Sequence, residues 1–382
     1  MKIEQMSWSA ASDWVQGIGP SRLKDSADLV LVFGGTAAIQ DRERLAQVQE
    51  AYPRAFVFGC STAGEIQGTT VRDDSIAVTA VEFERTEIRH ASVDLRETPD
   101  SRDAGERLAQ LLPHDGLVHV FILSDGLAVN GTDLVEGLAS CLPADVSITG
   151  GLSGDGARFE TTLVVSAGKA DSQTVAAVGL YGSHLKVGCA SLGGWDSFGP
   201  ERVVTRSEGN VLYELDGKSA LALYKQYLGD QADGLPGTGL LFPLSLRTKE
   251  RETPFVRTIL GIDDETQSLT FAGDIPTGAY ARLMKANFDR LIDGAVGAAR
   301  ATQSPIANSA PELAILISCV GRKMVLKQRI EEEVEGVRDV LGDATTLTGF
   351  YSYGEISPFT PNARCELHNQ TMTITTFSEH AA

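Results

Sequence analysis

Cysteine is scarce in this chain: Cys60, Cys141, Cys189, Cys319 and Cys365 are scattered, with no C-x-x-C pair. An odd, dispersed set supports neither a disulfide framework nor a structural zinc site. Basic residues are also few, with 33 Lys and Arg against 51 Asp and Glu, a formal charge of −18. No basic stripe offsets that balance, which repels phosphate, so nucleic acid and anionic membranes are not expected partners. No run approaches the roughly 18 apolar residues of a membrane span. The opening MKIEQMSWSAASDWVQGIG has no apolar signal-peptide core. These absences predict a cytoplasmic protein. Walker A, G-x-G-x-x-G, G-x-S-x-G and H-E-x-x-H are missing too, which lowers the expectation of catalysis.

What is present is an ordinary globular composition, 42% hydrophobic and 22% charged over 382 residues, enough for two cores. Self-similarity is the strongest signal. LVLVFGG (29–35) is a buried-strand pattern, followed by the helix pattern DRERLAQVQEAY and the strand-to-turn segment AFVFGCSTAGEI. A second copy runs from HVFILSDG (119–126) through GTDLVEGLASCL to VSITGGLSGDGARF. The third runs from LAILISCVG (313–321) through LKQRIEEEVEGVRDVLG to TTLTGFYSYGEI. The predicted class is α/β, with mixed sheets built from strand-helix-strand-turn-strand units.

Glycines recur in the turns at Gly59/Gly64, Gly150/Gly154 and Gly349/Gly354, where backbone needs positive φ or close approach. Two turns carry Glu65 and Glu355 at matching places, so the turns are expected to line a shared crevice. Between the second and third copies, Asp216 is expected to cap a helix that Gly229 ends. DQADGLPGTG (230–239) reads as a linker. The predicted organisation is a lead-in over 1–27, a domain of two repeats over 28–229, and a domain with the third repeat over 230–382. Tyr280, Leu283, Asn287 and Leu291 have helical spacing, and 304–311 reads as a loop.

Candidate chemistry is sparse. Cys60 and Cys319 end strands, and Arg322 could lower the thiol pKa of Cys319, although no base is placed beside either thiol. His90 and His119 fall in strand patterns, the usual setting of a structural histidine, and His184 sits between two strands. His is the commonest ligand for a metal or haem iron. His368 and Asn369 offer directional donors and acceptors, and Glu355 is expected to pair with His368 across the sheet.

In order, GCSTAGEI, LSDG, GGLSGDGARF, ISCVGR, GFYSYGEI and HNQT resemble the motifs of the FIST proteins, over roughly Asp28 to Phe377. The resemblance implies paired FIST N and FIST C domains that sense a small ligand. The output would be a partner such as a histidine kinase or a cyclic-di-nucleotide signalling protein. Motif-matching candidates for ligand binding are Ser61, Glu65, Arg322, Tyr351, Glu355, His368 and Asn369. GGWDSFGPERVVTRS and GNVLYELDG are similar to a stand-alone subset that binds haem and senses nitric oxide. That implies a haem cofactor, with His184 as the iron ligand and His119 second. The alternative is a sensor of a small polar metabolite such as an amino acid, its carboxylate held by Arg322 and its ammonium by Glu65 or Glu355.

Overall fold

A computed structural model describes residues 1–16, 23–249, 254–303, 310–359 and 363–379. Three units of equal design form its core. The first opens with the strand Leu29–Gly34, passes through the helix Arg42–Ala51, and returns as Phe56–Ser61 in parallel with its opening strand. A hairpin, Glu65–Gln67 and Thr70–Arg72, leads to Ser75–Glu82, which runs antiparallel to the opening strand. The second unit repeats this with Leu117–Ser124, the helix Gly131–Cys141, Ser147–Leu152, the hairpin Val164–Ser166 and Lys169–Asp171, and Thr174–Tyr181. The third uses Leu313–Cys319, the helices Val320–Leu326 and Ile330–Leu341, Thr346–Ser352, the hairpin Gly354–Pro358 and Cys365–His368, and Met372–Ser378.

The repeated glycines have a common physical cause. A Cβ on Gly59, Gly150 or Gly349 would stand 1.8 Å from the carbonyl oxygen of Val32, Ile122 or Leu316 respectively. At the same register in each unit, two parallel strands approach too closely for any side chain.

The units trade strands in a cycle. Each hairpin leaves its own unit: Glu65–Gln67 pairs with Thr346–Ser352, Val164–Ser166 with Phe56–Ser61, and Gly354–Pro358 with Ser147–Leu152. A closing strand travels the other way. Glu87–Asp94 pairs with Thr174–Tyr181, Lys186–Leu192 with Met372–Ser378, and Lys2–Ser9 with Ser75–Glu82. Three sheets therefore surround one apolar centre that includes Phe33, Phe58, Phe121, Phe350 and Phe377, with Phe33 and Phe350 4.7 Å apart between ring centroids.

The strands from Trp195–Glu208 to Tyr280–Ala286 form a separate sheet that curls into a barrel. The long strand Trp195–Glu208 pairs with Tyr280–Ala286 at one end and Val211–Leu215 at the other. The run Phe255–Arg257 then Ile259–Asp263 pairs first with Leu244–Arg247 and then with Ser268–Phe271, so one stretch of chain joins both edges. Helix Ala220–Leu228 contributes Leu221 and Tyr224 to the barrel core.

Several expectations change here. Within the lead-in, Lys2–Ser9 and Asp13–Gln16 extend a sheet. The division at 229/230 falls inside the barrel, because strands on both sides of it share one sheet. Asp216 does not cap the helix. It turns the chain with φ 51° and accepts from Val203 N, while Ser219 Oγ accepts from Ala222 N as the cap. Gly229 does end that helix, with φ 56°. Tyr280–Ala286 is a strand, since Ala281 and Leu283 alternate inward, and the helix begins after Asn287, whose side chain accepts from Arg290 N. Of the loop expected over 304–311, residues 304–309 lie outside the described residues. No helix among the described residues is long and apolar enough to cross a membrane.

Candidate functional site

A crevice of about 390 Å³ opens where the three units converge. The first supplies the turn Thr62–Glu65 with Asp73 and Asp74, the second Gly156–Arg158, and the third Val320, Lys323 and Met324. Gly64 has φ 141°, and a Cβ there would lie 2.5 Å from Lys323 Nζ. Its bareness lets the lysine lie across the turn, where Nζ donates to Ala63 O at 2.7 Å and pairs with Asp73. Arg158 is exposed on the rim, 4.0 Å from the Asp155 carboxylate.

Glu65 is buried beneath this surface. Its Oε1 accepts from Thr62 Oγ1 at 2.5 Å, and its Oε2 from Ser75 Oγ at 2.6 Å and Ser75 N at 3.0 Å. Burial outweighs those donors and pushes its pKa up to about 7. Glu355 repeats the arrangement: Ser352 Oγ donates at 2.8 Å, Thr371 Oγ1 at 2.9 Å and Thr371 N at 3.1 Å. Burial again pushes the carboxyl up to about 7. The second unit has Val164 at the corresponding ladder position, opposite Cys60, and brackets its turn with Asp125 instead. That carboxylate accepts from Leu127 N, Ala128 N, Thr162 Oγ1 and Gln173 N at 2.7–2.9 Å. The Gly-Glu turns are thus equivalent corners, each pinning its hairpin to the next strand. Of the two, the first borders the crevice and the second does not.

The remaining candidates are structural in this arrangement. Ser61 Oγ accepts from Leu163 N at 2.8 Å. Arg322 is fully buried, bound to Glu333 Oε2 through Nη2 at 2.7 Å and to the carbonyls of Leu291 and Gly193. In this arrangement its guanidinium is committed to internal partners. Tyr351 donates to Glu333 Oε1 at 2.6 Å. His368 faces Glu355 in the backbone register, yet its Nε2 meets Ser357 O at 2.8 Å, and the glutamate is satisfied elsewhere. Asn369 Oδ1 accepts from Thr258 N, tying the third unit to the barrel. Burial raises the thiol pKa of Cys60 and Cys319, which makes them inert rather than nucleophilic.

The two histidines do not fit haem. His184 is exposed in the turn between Thr174–Tyr181 and Lys186–Leu192, with Nδ1 3.4 Å from Arg85 Nη1. It borders none of the cavities described here. His119 is sealed in the core, with Nδ1 2.7 Å from Ser147 Oγ and Nε2 3.0 Å from Thr149 Oγ1, and Phe377 edge-on at 5.4 Å. Burial lowers its pKa to about 3, so the ring is neutral with both nitrogens engaged. Among the described residues no group of three or more His, Cys, Asp or Glu could hold a metal ion. Replacing His184 with Ala is expected to change the unfolding free energy by less than about 0.5 kcal/mol in urea titration, as for other surface sites.

Sequence reasoning missed Lys323, Arg158, Asp73 and Asp74. Lys323 adjoins the singled-out Arg322, but neighbours on a helix point about 100° apart. One faces the core and the other the crevice. The signal was the pair Val320 and Met324, which share the crevice side with Lys323.

Comparison with known proteins matches the FIST N domain over residues 28–218 and the FIST C domain over 220–358. The chain is also 23% identical, over 83% of its length, to an uncharacterized protein of Methanocaldococcus jannaschii. It spans 64% of that relative.

Proposed function

Because the chain belongs to the FIST family, whose domains are signal-transduction sensor domains, we propose that it senses a small zwitterionic metabolite, such as an amino acid, in the crevice between the three units. One observation carries this reading: opposite charges from different units meet at the opening. Lys323 and Arg158 suit a carboxylate, and Asp73 and Asp74 suit an ammonium. The resting crevice is closed by its own ion pair, Lys323 with Asp73. A zwitterion offers each partner a replacement, so binding exchanges an internal contact for two external ones. The turn of the first unit and the helix Val320–Leu326 of the third are then free to shift. That gives the ligand the differential affinity for two arrangements that a switch requires. The output would be a partner signalling protein, such as a histidine kinase or a cyclic-di-nucleotide enzyme.

A thermal-shift screen of the twenty amino acids tests the reading. A ligand at 100 times its Kd is expected to add about 2.7 kcal/mol of stability by mass action, and the gain should fall sharply in Lys323→Ala and Arg158→Ala. No shift across the panel, or a shift unchanged in both variants, rules it out.

A further inference from the structure

A second cavity, of about 320 Å³, lies at the equivalent end of the second unit, where the barrel closes over it. Its core side carries Leu127 and Leu152, and its barrel side Leu260 and Phe271. No charged side chain lines it among the described residues. One wall is an aromatic stack, Phe159 on Tyr353, with ring centroids 4.3 Å apart and planes 15° from parallel. Two polar side chains of the lining are already engaged. Tyr353 Oη donates to Asp155, and Asn210 Nδ2 donates to Phe271 O at 2.7 Å. A guest would meet an uncharged surface, part polar and part apolar, with the aromatic pair on one side.

Phe159 itself is unusual. It has φ 57°, a left-handed conformation that bulky side chains avoid. Such residues persist where surroundings over-determine them, and they gather at ligand clamps. Here Asp155 holds the turn, accepting from the backbone N–H of Phe159 at 2.8 Å and of Glu160 and Thr161 at 2.9 Å. The same short loop reaches both cavities: Gly156, Ala157 and Arg158 border the polar crevice, and Phe159 borders this one.

We propose that this pocket binds a small, flat, uncharged aromatic molecule against the Phe159–Tyr353 stack. Its occupancy changes ligand affinity in the crevice through residues 156–159. The volume sits at the lower end for small-molecule sites and suits one or two fused rings. The lack of charge in the lining disfavours an ionised guest, because nothing would offset its desolvation. The barrel supplies the roof, so a guest also ties the barrel to the three-unit core. The pocket stands on its own geometry; the coupling rests on the crevice reading above.

Titration calorimetry of the full chain with indole tests the pocket. One saturable site is expected, weakened at least tenfold in Leu260→Trp, which fills the space from the barrel's edge strand. Leu127→Trp fills it from the core side, so the result does not hang on one variant folding. No saturable binding to the unsubstituted chain, or binding to both tryptophan variants as tight as to the parent, overturns the site. With the amino acid that shifts the melting temperature most, saturating indole should change its affinity several-fold, and the amino acid should change that of indole by the same factor. Equal affinities with and without indole overturn the coupling. If indole binds and no amino acid does, the pocket stands and the zwitterion reading falls.

Discussion

Replacing Arg322 with Ala is expected to cost the fold about 3–5 kcal/mol, as removing one partner of a buried ion pair does. The guanidinium and the Glu333 carboxylate are both fully enclosed. Arg322 binds Glu333 Oε2 through Nε at 3.1 Å and Nη2 at 2.7 Å, and reaches the carbonyls of Leu291 at 2.6 Å and Gly193 at 3.2 Å. Without it, Glu333 retains Tyr351 Oη at 2.6 Å and Ser318 Oγ at 3.1 Å, two neutral donors for a carboxylate cut off from water. The arginine also stitches together the helix Phe288–Thr302, the start of the barrel strand and the third unit. Urea denaturation reads the loss. Pairing Arg322→Met with Glu333→Leu should recover much of it, because two buried charges are replaced by packing groups. A single variant as stable as the parent but blind to ligand would return Arg322 to the role its motif suggested.

The two Gly-Glu turns should make stability fall as pH rises. In the fold, Glu65 and Glu355 keep their protons to about pH 7, against an ordinary value of 4.5. Below pH 4.5 both folded and unfolded chains hold the proton, and the contribution is fully present. Between 4.5 and 7 the unfolded chain sheds it and the folded one does not, so the balance tips toward unfolding. By pH 8 each glutamate has given up about 3 kcal/mol. Other carboxylates act in the opposite sense: Glu379 and Asp155 are lowered, by hydrogen bonds that outweigh their burial. The informative quantity is therefore a difference. From pH 5 to 8, Glu65→Gln and Glu355→Gln should each lose about 2 kcal/mol less than the parent. The amide can keep Oε on the backbone N–H and turn its NH₂ toward the Thr62 or Ser352 hydroxyl. Parallel stability-against-pH curves for parent and variants would exclude the raised values.

Much of the core was legible because its signals are local. Leu29–Gly34, Leu117–Ser124 and Leu313–Cys319 are apolar runs ending in small residues, and Gly59, Gly150 and Gly349 mark one register three times. The exchange of strands was not legible. Lys2–Ser9 reads as a lead-in, since its partner Ser75–Glu82 lies some seventy residues away and nothing local names it. Tyr280–Ala286 reads as helix in the sequence because a short apolar run fits both periods, and the barrel wall decides the matter. At the site, the motif residues Arg322, Tyr351, Glu355 and Asn369 are those the architecture needs most. A recurrent motif registers demand without saying whether a ligand or the fold makes it. Arg158 lies within the quoted GGLSGDGARF and Lys323 directly follows ISCVGR, yet nothing local tells that an exposed arginine and a half-buried lysine would face one crevice.

The cyclic exchange of strands also governs how the chain is made. Met372–Ser378 lies between Lys186–Leu192 and Leu313–Cys319, hydrogen-bonded to both. As a ribosome delivers the chain, Lys186–Leu192 emerges nearly two hundred residues before the strand it waits for. The first unit waits as well, since its hairpin Glu65–Gln67 docks on Thr346–Ser352. One core sheet draws all its strands from residues 2–171, but the other two cannot be completed until almost the whole sequence has left the exit tunnel. At 5–20 residues per second that leaves unpaired edges open for many seconds, the condition under which nascent chains aggregate and chaperones are recruited. Contacts this distant in sequence also make for slow folding once synthesis ends. Two of the three sheets assemble late, and only the first gains from vectorial synthesis.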